Sequence, residues 1–138
     1  MKNDVINAIR TIEAACFDVP WSLTAIIAGT SNPDAIFLSE EIEGETVGFL
    51  LGTSLSGDYE ILRIAVLPEF QRAGVAYKLM TAFIEKCRET DDTGSIYLEV
   101  RSSNTAAIKL YEKCSFVKRG FRERYYGDDD AIIMRLEL

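Results

Sequence analysis

Residues 64–76 constrain the fold more than any other segment, because a strand pattern changes there to a helix pattern within a few positions. An apolar run ends before Pro68, and apolar residues at helical spacing begin at Val75. The first turn of a helix offers unpaired N–H groups and a partial positive charge, and Gly74 and Ala76 leave the backbone open to a diphosphate. The segment therefore predicts a phosphate-binding loop between a strand and a long helix. A glycine-containing turn before a core helix is the alternative interpretation.

Hydrophobic periodicity predicts the elements of the whole chain in the order ααβββαβαββ. Helices are predicted over residues 3–17, 22–28, 74–90 and 104–114, and strands over residues 35–41, 46–54, 59–66, 96–100, 116–125 and 131–138. Ser22 and Asn104 are predicted N-caps, and turns are predicted at 43–45, 56–58, 91–94 and 128–130. Neither a linker-like stretch nor an internal repeat divides the series. We therefore expect one α/β domain over residues 1–138, with a mixed sheet flanked by helices.

The composition excludes several kinds of chemistry. The chain of 138 residues contains no histidine, which rules out Ser-His-Asp and Cys-His nucleophiles and argues against a zinc site, so we expect no metal. The formal net charge of −7 argues against nucleic acid as a partner and favours a cationic small molecule or a basic protein. Because the sequence shows neither a run of 18 apolar residues nor a signal peptide, we expect a cytoplasmic protein without a membrane-spanning helix.

Residues 71–76, Gln-Arg-Ala-Gly-Val-Ala, resemble the acetyl-CoA signature Gln/Arg-x-x-Gly-x-Gly/Ala of the GNAT family of N-acetyltransferases. The Ile-Ala-Val strand and the proline before them are also usual in that family. The resemblance implies a twisted mixed sheet, splayed between its fourth and fifth strands, with acetyl-CoA as the co-substrate in the gap. It also implies two sets of cofactor-binding residues: a strand that pairs with the pantetheine arm, Ile64, Ala65 and Val66, and a loop that holds the pyrophosphate, Arg72, Ala73, Gly74, Val75, Ala76 and Tyr77.

The start of the chain departs from the family's pattern. Members of the family usually have a strand before the first helix, whereas this sequence begins almost in the helix. We therefore expect the first strand to be missing or very short, which leaves one edge of the sheet less covered.

The second half of the chain is similar to one branch of the family, the bacterial RimI-type ribosomal-protein alanine N-acetyltransferases. Residues 98–111 match its Leu-Glu-Val-Arg-x-Ser-Asn-x-x-Ala-x-x-Leu-Tyr pattern, and residues 20–22 and 130–134 match its Pro-Trp-Ser and Asp-Ala-Ile-Ile-Met. The resemblance implies that Asn104 faces the cofactor as well as capping its helix. It also implies three residues at the acceptor entrance: Trp21, Tyr125 and Tyr126. Without the resemblance, the tryptophan is interpreted as a core residue and the tyrosines as a hairpin pair.

Two positions differ from that branch. Ser115 stands where the branch has glycine at the end of a helix, a position suited to a left-handed backbone. Arg124 stands where the branch has asparagine, next to the expected acceptor entrance. The second difference leaves the identity of the acceptor open.

Glu99 and Tyr111 are the candidate catalytic residues. Aminolysis of a thioester needs a neutral amine, and an α-amino group with a pKa of about 8 is mostly protonated at neutral pH. Glu99 is the candidate base, acting directly or through a water, and its alternative role is an ion pair with Arg101 or a lysine. By resemblance, Tyr111 donates a proton to the departing CoA thiolate. Its alternative role is core packing against Phe116.

The leading hypothesis is acetyl transfer from acetyl-CoA to the N-terminal alanine of a ribosomal protein, by direct attack of the amine. An acetyltransferase for a small amine or a polyamine is the first alternative, and the negative net charge fits both kinds of acceptor. A non-catalytic acetyl-CoA-binding module is the second alternative. The presence of both Glu99 and Tyr111 argues against such a module.

Overall fold

The computed structural model describes residues 3–90 and 93–138. The predicted order ααβββαβαββ is confirmed, and most element ends lie within a few residues of the predicted ones. The helices are α1 (Asn3–Cys16), α2 (Leu23–Ser31), α3 (Val75–Thr90) and α4 (Thr105–Lys113), and the strands are β1 (Ala35–Ile42), β2 (Glu45–Leu55), β3 (Asp58–Val66), β4 (Ser95–Arg101), β5 (Val117–Arg122) and β6 (Ala131–Glu137). A short 3-10 helix, Pro68–Phe70, lies between β3 and α3. Residues 91 and 92 of the turn predicted at 91–94 lie outside the described residues.

The six strands of the described residues form one mixed sheet in the order β1-β2-β3-β4-β6-β5. Neighbouring strands are antiparallel, except that β3 and β4 are parallel, because helix α3 carries the chain back between them. In the described residues β1 forms one edge of the sheet and β5 the other. The predicted mixed α/β fold is therefore confirmed.

The parallel strands β3 and β4 pair at one end only. Tyr59 faces Ile96 and Glu60 faces Tyr97, whereas later residues of both strands line a cavity between them. The splay that the resemblance implied is therefore present. It lies between the third and fourth strands of the described residues.

Three local features hold β3 and β4 together at one end and separate them at the other. The Asp58 carboxylate accepts a hydrogen bond from the backbone N–H of Ser95, at 2.9 Å. A β-carbon on Gly94 would lie 2.0 Å from the Gly57 carbonyl oxygen, so this close approach requires glycine. Farther along β3, Leu62 is an extra residue relative to β2, and such a bulge bends a strand and increases its twist. The gap between β3 and β4 begins at this bulge.

Helices cover both faces of the sheet. On β2, Leu51 faces α2, since its side chain lies 3.1 Å from the site of a β-carbon on Gly29. Gly52 faces α3, since a β-carbon there would lie 2.4 Å from the ring of Phe83. Successive strand residues point to opposite faces, so α2 and α3 lie on opposite sides of the sheet. Across the described ranges, no helix is both long and apolar enough to cross a bilayer.

Local sequence signals account for several element ends. The predicted N-caps are confirmed: the Ser22 side chain accepts from the Ala25 N–H at 3.1 Å, and the Asn104 side chain accepts from the Ala107 N–H at 3.2 Å. Ser115, after α4, has a φ of +74°, the left-handed conformation suited to the glycine of the related branch. A serine in that conformation costs about 1 kcal/mol.

Strand β5 is shorter than predicted. It ends at Arg122, because Arg124 adopts a φ of +50° and its N–H donates to the Asp130 carboxylate at 2.8 Å. Tyr125 and Tyr126 therefore lie in the turn between β5 and β6. Their interpretation as a cross-strand hairpin pair is wrong.

Candidate active site

The gap between β3 and β4 holds a cavity of about 180 Å³. Predicted site residues from several elements meet in its lining. They are Ile64 of β3, Glu99 of β4, Asn104 before α4, Tyr111 of α4 and Tyr126 of the β5–β6 turn. The cavity therefore joins candidate catalytic, cofactor-binding and acceptor-binding residues that lie far apart in the chain.

Glu99 is half-buried in this cavity, with 27% of its side chain exposed. Its carboxylate forms an ion pair with Arg122, in which Nη2 lies 3.2 Å from Oε1. The alternative partner predicted from the sequence, Arg101 or a lysine, is wrong. Arg101 has other contacts, since its guanidinium carbon lies 4.3 Å from the centroid of the Tyr126 ring and a nitrogen lies 3.7 Å from Asp128. Because Arg122 is more than half exposed, water reaches the Glu99 carboxylate.

Tyr111 is 7% exposed and packs against Phe116, with ring centroids 6.2 Å apart. The same side chain lines the cavity, so the packing role and a position facing the cavity coexist. The pKa of the Tyr111 phenol is raised to about 12, chiefly by burial and to a smaller extent by the neighbouring Tyr126. The phenol therefore remains protonated at neutral pH and is available as a hydrogen-bond donor.

The last residues of β3 direct backbone groups into the gap. The Leu67 N–H donates to the Val47 carbonyl at 2.8 Å, and the direction of backbone groups alternates along an antiparallel strand. The N–H and C=O groups of Ile64 and Val66 therefore point away from β2, and those of Ala65 point toward β2. The Val66 carbonyl already accepts hydrogen bonds from Cys16 Sγ and Gln71 Nε2, so the groups left for a ligand are both backbone groups of Ile64, which lines the gap, and the N–H of Val66.

The loop after the 3-10 helix is exposed and ends where α3 begins. The Gln71 side chain donates to the Val66 carbonyl at 3.1 Å, which ties the loop to the end of β3. Gly74 has a φ of +76°, and a β-carbon there would meet nothing within 4 Å. Glycine supplies no capping side chain, so the N–H groups of the first turn of α3 face open space. Those groups belong to Val75, Ala76 and Tyr77.

The other predicted residues of the loop differ in what they offer. Arg72 and Ala73 are exposed, whereas the side chain of Val75 is buried, leaving only its backbone for a ligand. The ring of Tyr77 lies beneath the Lys113 ammonium of α4, at 4.4 Å. A helix start with free N–H groups, an exposed arginine and a neighbouring gap between strands together fit a long ligand that carries phosphates at one end.

We expect Gly74→Ala to weaken acetyl-CoA binding roughly tenfold, because the new methyl group enters the open space that a phosphate needs. Gly44→Ala is the matched control, since Gly44 has a φ of +81° and also meets nothing within 4 Å. Both variants carry the same backbone strain, about 1 kcal/mol. Titration calorimetry with acetyl-CoA should separate them, and equal dissociation constants for the two variants would contradict the role of the loop.

The predicted acceptor residues lie on one side of Glu99. Tyr125 and Tyr126 form an edge-to-face pair with centroids 5.1 Å apart, and both line a second cavity beside the first. Burial, followed by the Glu99 carboxylate, raises the pKa of Tyr126. Trp21 does not line either cavity, and its ring packs against Arg63, which does line the first.

Glu13 and Arg63 were missed by the sequence analysis. Glu13 is fully buried in α1 and forms a two-pronged ion pair with Arg63, with Nε–Oε2 and Nη2–Oε1 distances of 2.8 and 2.7 Å. One signal was present: Glu13 adjoins Ile12 and lies four residues after Ile9, on the buried face of the first helix. A carboxylate on such a face needs a cationic partner.

Comparison with known proteins agrees with this geometry. The profile of the Acetyltransferase (GNAT) family matches residues 6–116. A ribosomal protein bS18-alanine N-acetyltransferase from Salmonella typhimurium is 33% identical over 137 residues, which cover 96% of this chain and 91% of the relative. The crystal structure of the ribosomal-protein-S18-alanine N-acetyltransferase from Escherichia coli has a TM-score of 0.90 at 29% identity, covering 99% of this chain and 89% of that chain.

A further structure bears on the co-substrate. A Bacillus anthracis acetyltransferase in complex with acetyl coenzyme A has a TM-score of 0.70 at 28% identity, covering 78% of this chain and 64% of that chain. Since the family profile spans most of the sequence and the Salmonella relative nearly all of it, the chain belongs to the GNAT family and is an acetyl-CoA-dependent N-acetyltransferase.

Proposed function

We propose that this enzyme acetylates the N-terminal alanine α-amino group of a ribosomal protein, by direct attack of the amine on acetyl-CoA. The observation that carries the proposal is the meeting of Glu99 and Tyr111 in the lining of the β3–β4 gap. The Salmonella and E. coli relatives are ribosomal protein S18-alanine N-acetyltransferases, which supports the same class of acceptor here. A formal net charge of −7 fits a basic polypeptide and a polyamine alike.

Glu99 is proposed as the base. The α-amino group of the acceptor has a pKa of about 8, so the form that attacks is its neutral fraction, whose ammonium proton has been lost to solvent. The N–H of the nitrogen becomes far more acidic as the new C–N bond forms, and transfer to the carboxylate is then favourable. The partial exposure of Glu99 supports transfer through a water as well as directly, and the ion pair with Arg122 holds the carboxylate in place.

Tyr111 is proposed to assist the departing sulfur. Its phenol, with a pKa raised to about 12, faces a thiolate whose conjugate thiol has a pKa of about 8.5. Full proton transfer from tyrosine to that thiolate is therefore uphill by about 5 kcal/mol. The phenol instead stabilises the negative charge on sulfur by donating a hydrogen bond, and solvent completes the protonation.

The test of this function is a comparison of acceptors. Incubation with acetyl-CoA and a peptide that begins Ala-Arg should add 42 Da to the peptide, about the mass of one acetyl group in place of hydrogen, at the N-terminus. Spermidine serves as the small-amine control. Turnover of spermidine without acetylation of the peptide would reject the polypeptide acceptor, and acetyl-CoA binding without turnover of any amine would indicate a binding module.

A further inference from the structure

The ion pair of Glu13 and Arg63 differs from a surface salt bridge in its burial and in the number of its hydrogen bonds. The Glu13 side chain is fully buried, and its carboxylate accepts three hydrogen bonds. Two come from Arg63, and the third comes from the backbone N–H of Trp21 at 2.8 Å. Protein donors therefore fill three of the about four lone-pair sites of the carboxylate, and its charge is balanced by a single guanidinium.

Arg63 is held in one orientation by aromatic rings as well as by Glu13. Its guanidinium carbon lies 3.6 Å from the centroid of the Phe17 ring and 4.7 Å from that of Trp21. A guanidinium has five N–H bonds, and Glu13 accepts two of them, which leaves three. Within residues 3–90 and 93–138, no protein atom accepts a hydrogen bond from those three.

Arg63, which carries these unused donors, is a lining residue of the active-site cavity. Arg63 lines the same cavity as Glu99 and Tyr126, and 19% of its side chain is exposed. An unpaired arginine at this place would repel the incoming ammonium group of the acceptor. The buried carboxylate of Glu13 cancels that repulsion, so hydrogen-bond donors can lie beside a cationic substrate. The Arg63 guanidinium, held in one orientation and with its charge balanced by Glu13, can therefore donate hydrogen bonds to an uncharged oxygen close to the reacting amine.

We propose that Arg63 forms a carbonyl-binding subsite, in which its free N–H groups donate to the carbonyl oxygen of the acceptor's first residue. This inference rests on the proposed function, and the carbonyl-binding subsite would determine which class of amine the enzyme accepts. In a polypeptide N-terminus the carbonyl carbon is two bonds from the amino nitrogen, whereas alkyl amines and polyamines have no oxygen there. The enzyme therefore selects aminoacyl groups over simple amines, and Glu13 acts as a positioning residue through Arg63.

The test removes the subsite without leaving an unpaired buried charge. The double variant Glu13→Gln with Arg63→Met replaces the ion pair by neutral side chains of similar size, and the glutamine oxygen still accepts the Trp21 N–H. L-alaninamide and isopropylamine are the matched acceptors, because the second has a methyl group where the first has its carboxamide. We expect the ratio of their kcat/KM values, alaninamide over isopropylamine, to fall at least about tenfold in the variant, with the KM for acetyl-CoA within about twofold of wild type. An unchanged ratio would overturn the subsite.

A binding measurement keeps the inference separate from the proposed function. Calorimetry with a peptide beginning Ala-Arg, in the presence of CoA, should show at least about tenfold weaker binding to the double variant. If wild type acetylates the peptide and both proteins bind it equally, the subsite is wrong and the function stands. If wild type acetylates neither acceptor, the function is wrong and the calorimetry alone decides the subsite.

The variant Arg63→Lys provides a second route should the double variant fail to fold. Lysine keeps the charge opposite Glu13 but lacks the planar fork with spare donors. We expect it to raise the KM for the peptide by at least about fivefold while thermal unfolding stays close to that of wild type. A peptide KM equal to that of wild type in this folded variant would overturn the subsite.

Discussion

Replacing Glu99 by glutamine should lower kcat for peptide acetylation by at least about tenfold, while acetyl-CoA affinity stays nearly unchanged. Glutamine has almost the same shape but cannot accept the proton that leaves the amine. The cofactor contacts expected at the end of β3 and the start of α3 do not involve this side chain. Steady-state kinetics with saturating acetyl-CoA, together with calorimetry of cofactor binding, measure the two quantities separately.

Glu60→Gln is the matched control for this prediction. Glu60 is a half-buried strand carboxylate that lines the neighbouring cavity together with Glu99. Its replacement removes the same charge from the same region, so it reports any general electrostatic effect on the acceptor. In Glu99→Gln, the loss of the ion pair with Arg122 should lower the free energy of unfolding by at most about 1 kcal/mol, because Arg122 is largely exposed. Equal kcat values for the two variants would remove Glu99 from the mechanism.

Replacing Tyr111 by phenylalanine should also lower kcat by at least about tenfold with little change in acetyl-CoA affinity. The ring keeps its contact with Phe116, so the variant loses only the hydroxyl that faces the cavity. Because the wild-type phenol has a pKa of about 12, it remains protonated between pH 6 and pH 10. The wild-type rate should therefore show no fall from ionisation of Tyr111 over that range, and the loss in the variant should be the same at each pH.

Tyr97→Phe is the control for the hydroxyl. Tyr97 lies on β4 but does not line the cavity. The Arg135 guanidinium carbon lies 5.8 Å from the centroid of its ring. Its kcat should match that of wild type. A Tyr111→Phe variant with wild-type kcat would assign Tyr111 to packing alone.

The parts of the fold that depend on neighbouring residues were predictable. The caps at Ser22 and Asn104 follow from side-chain oxygens that reach backbone N–H groups three residues later, and the left-handed residue at Ser115 follows from its place after a helix. The strands and helices were predictable for the same reason, because the alternation and the helical spacing of apolar residues are patterns of nearby residues. The loop proposed to bind phosphate is also local, since Gly74 and the first turn of α3 adjoin in the chain.

Contacts between distant segments were not predictable from pattern alone. Glu13 and Arg63 are 50 residues apart, and a two-pronged pair between them requires α1 to lie on β3 in one register. Arg122 reaches Glu99 because β6 lies between β4 and β5 in the sheet, an order that differs from the order in the chain. Resemblance to the family indicated Glu99 and Tyr111, whereas the contacts of Arg63 and Arg122 depend on how distant strands and helices pack together.

The incomplete pairing of β3 and β4 also has a thermodynamic consequence. The sheet consists of two half-sheets, β1–β2–β3 and β4–β6–β5, joined along a seam by residue pairs at one end only. A ligand seated in the gap contacts both halves at once and bridges the open end of that seam. Any ligand that binds only the folded state at a hundredfold excess over its Kd adds about 2.7 kcal/mol to the free energy of unfolding. Acetyl-CoA, which we propose binds in this gap, would therefore stabilise the sheet by linking its two halves, in addition to being a reactant.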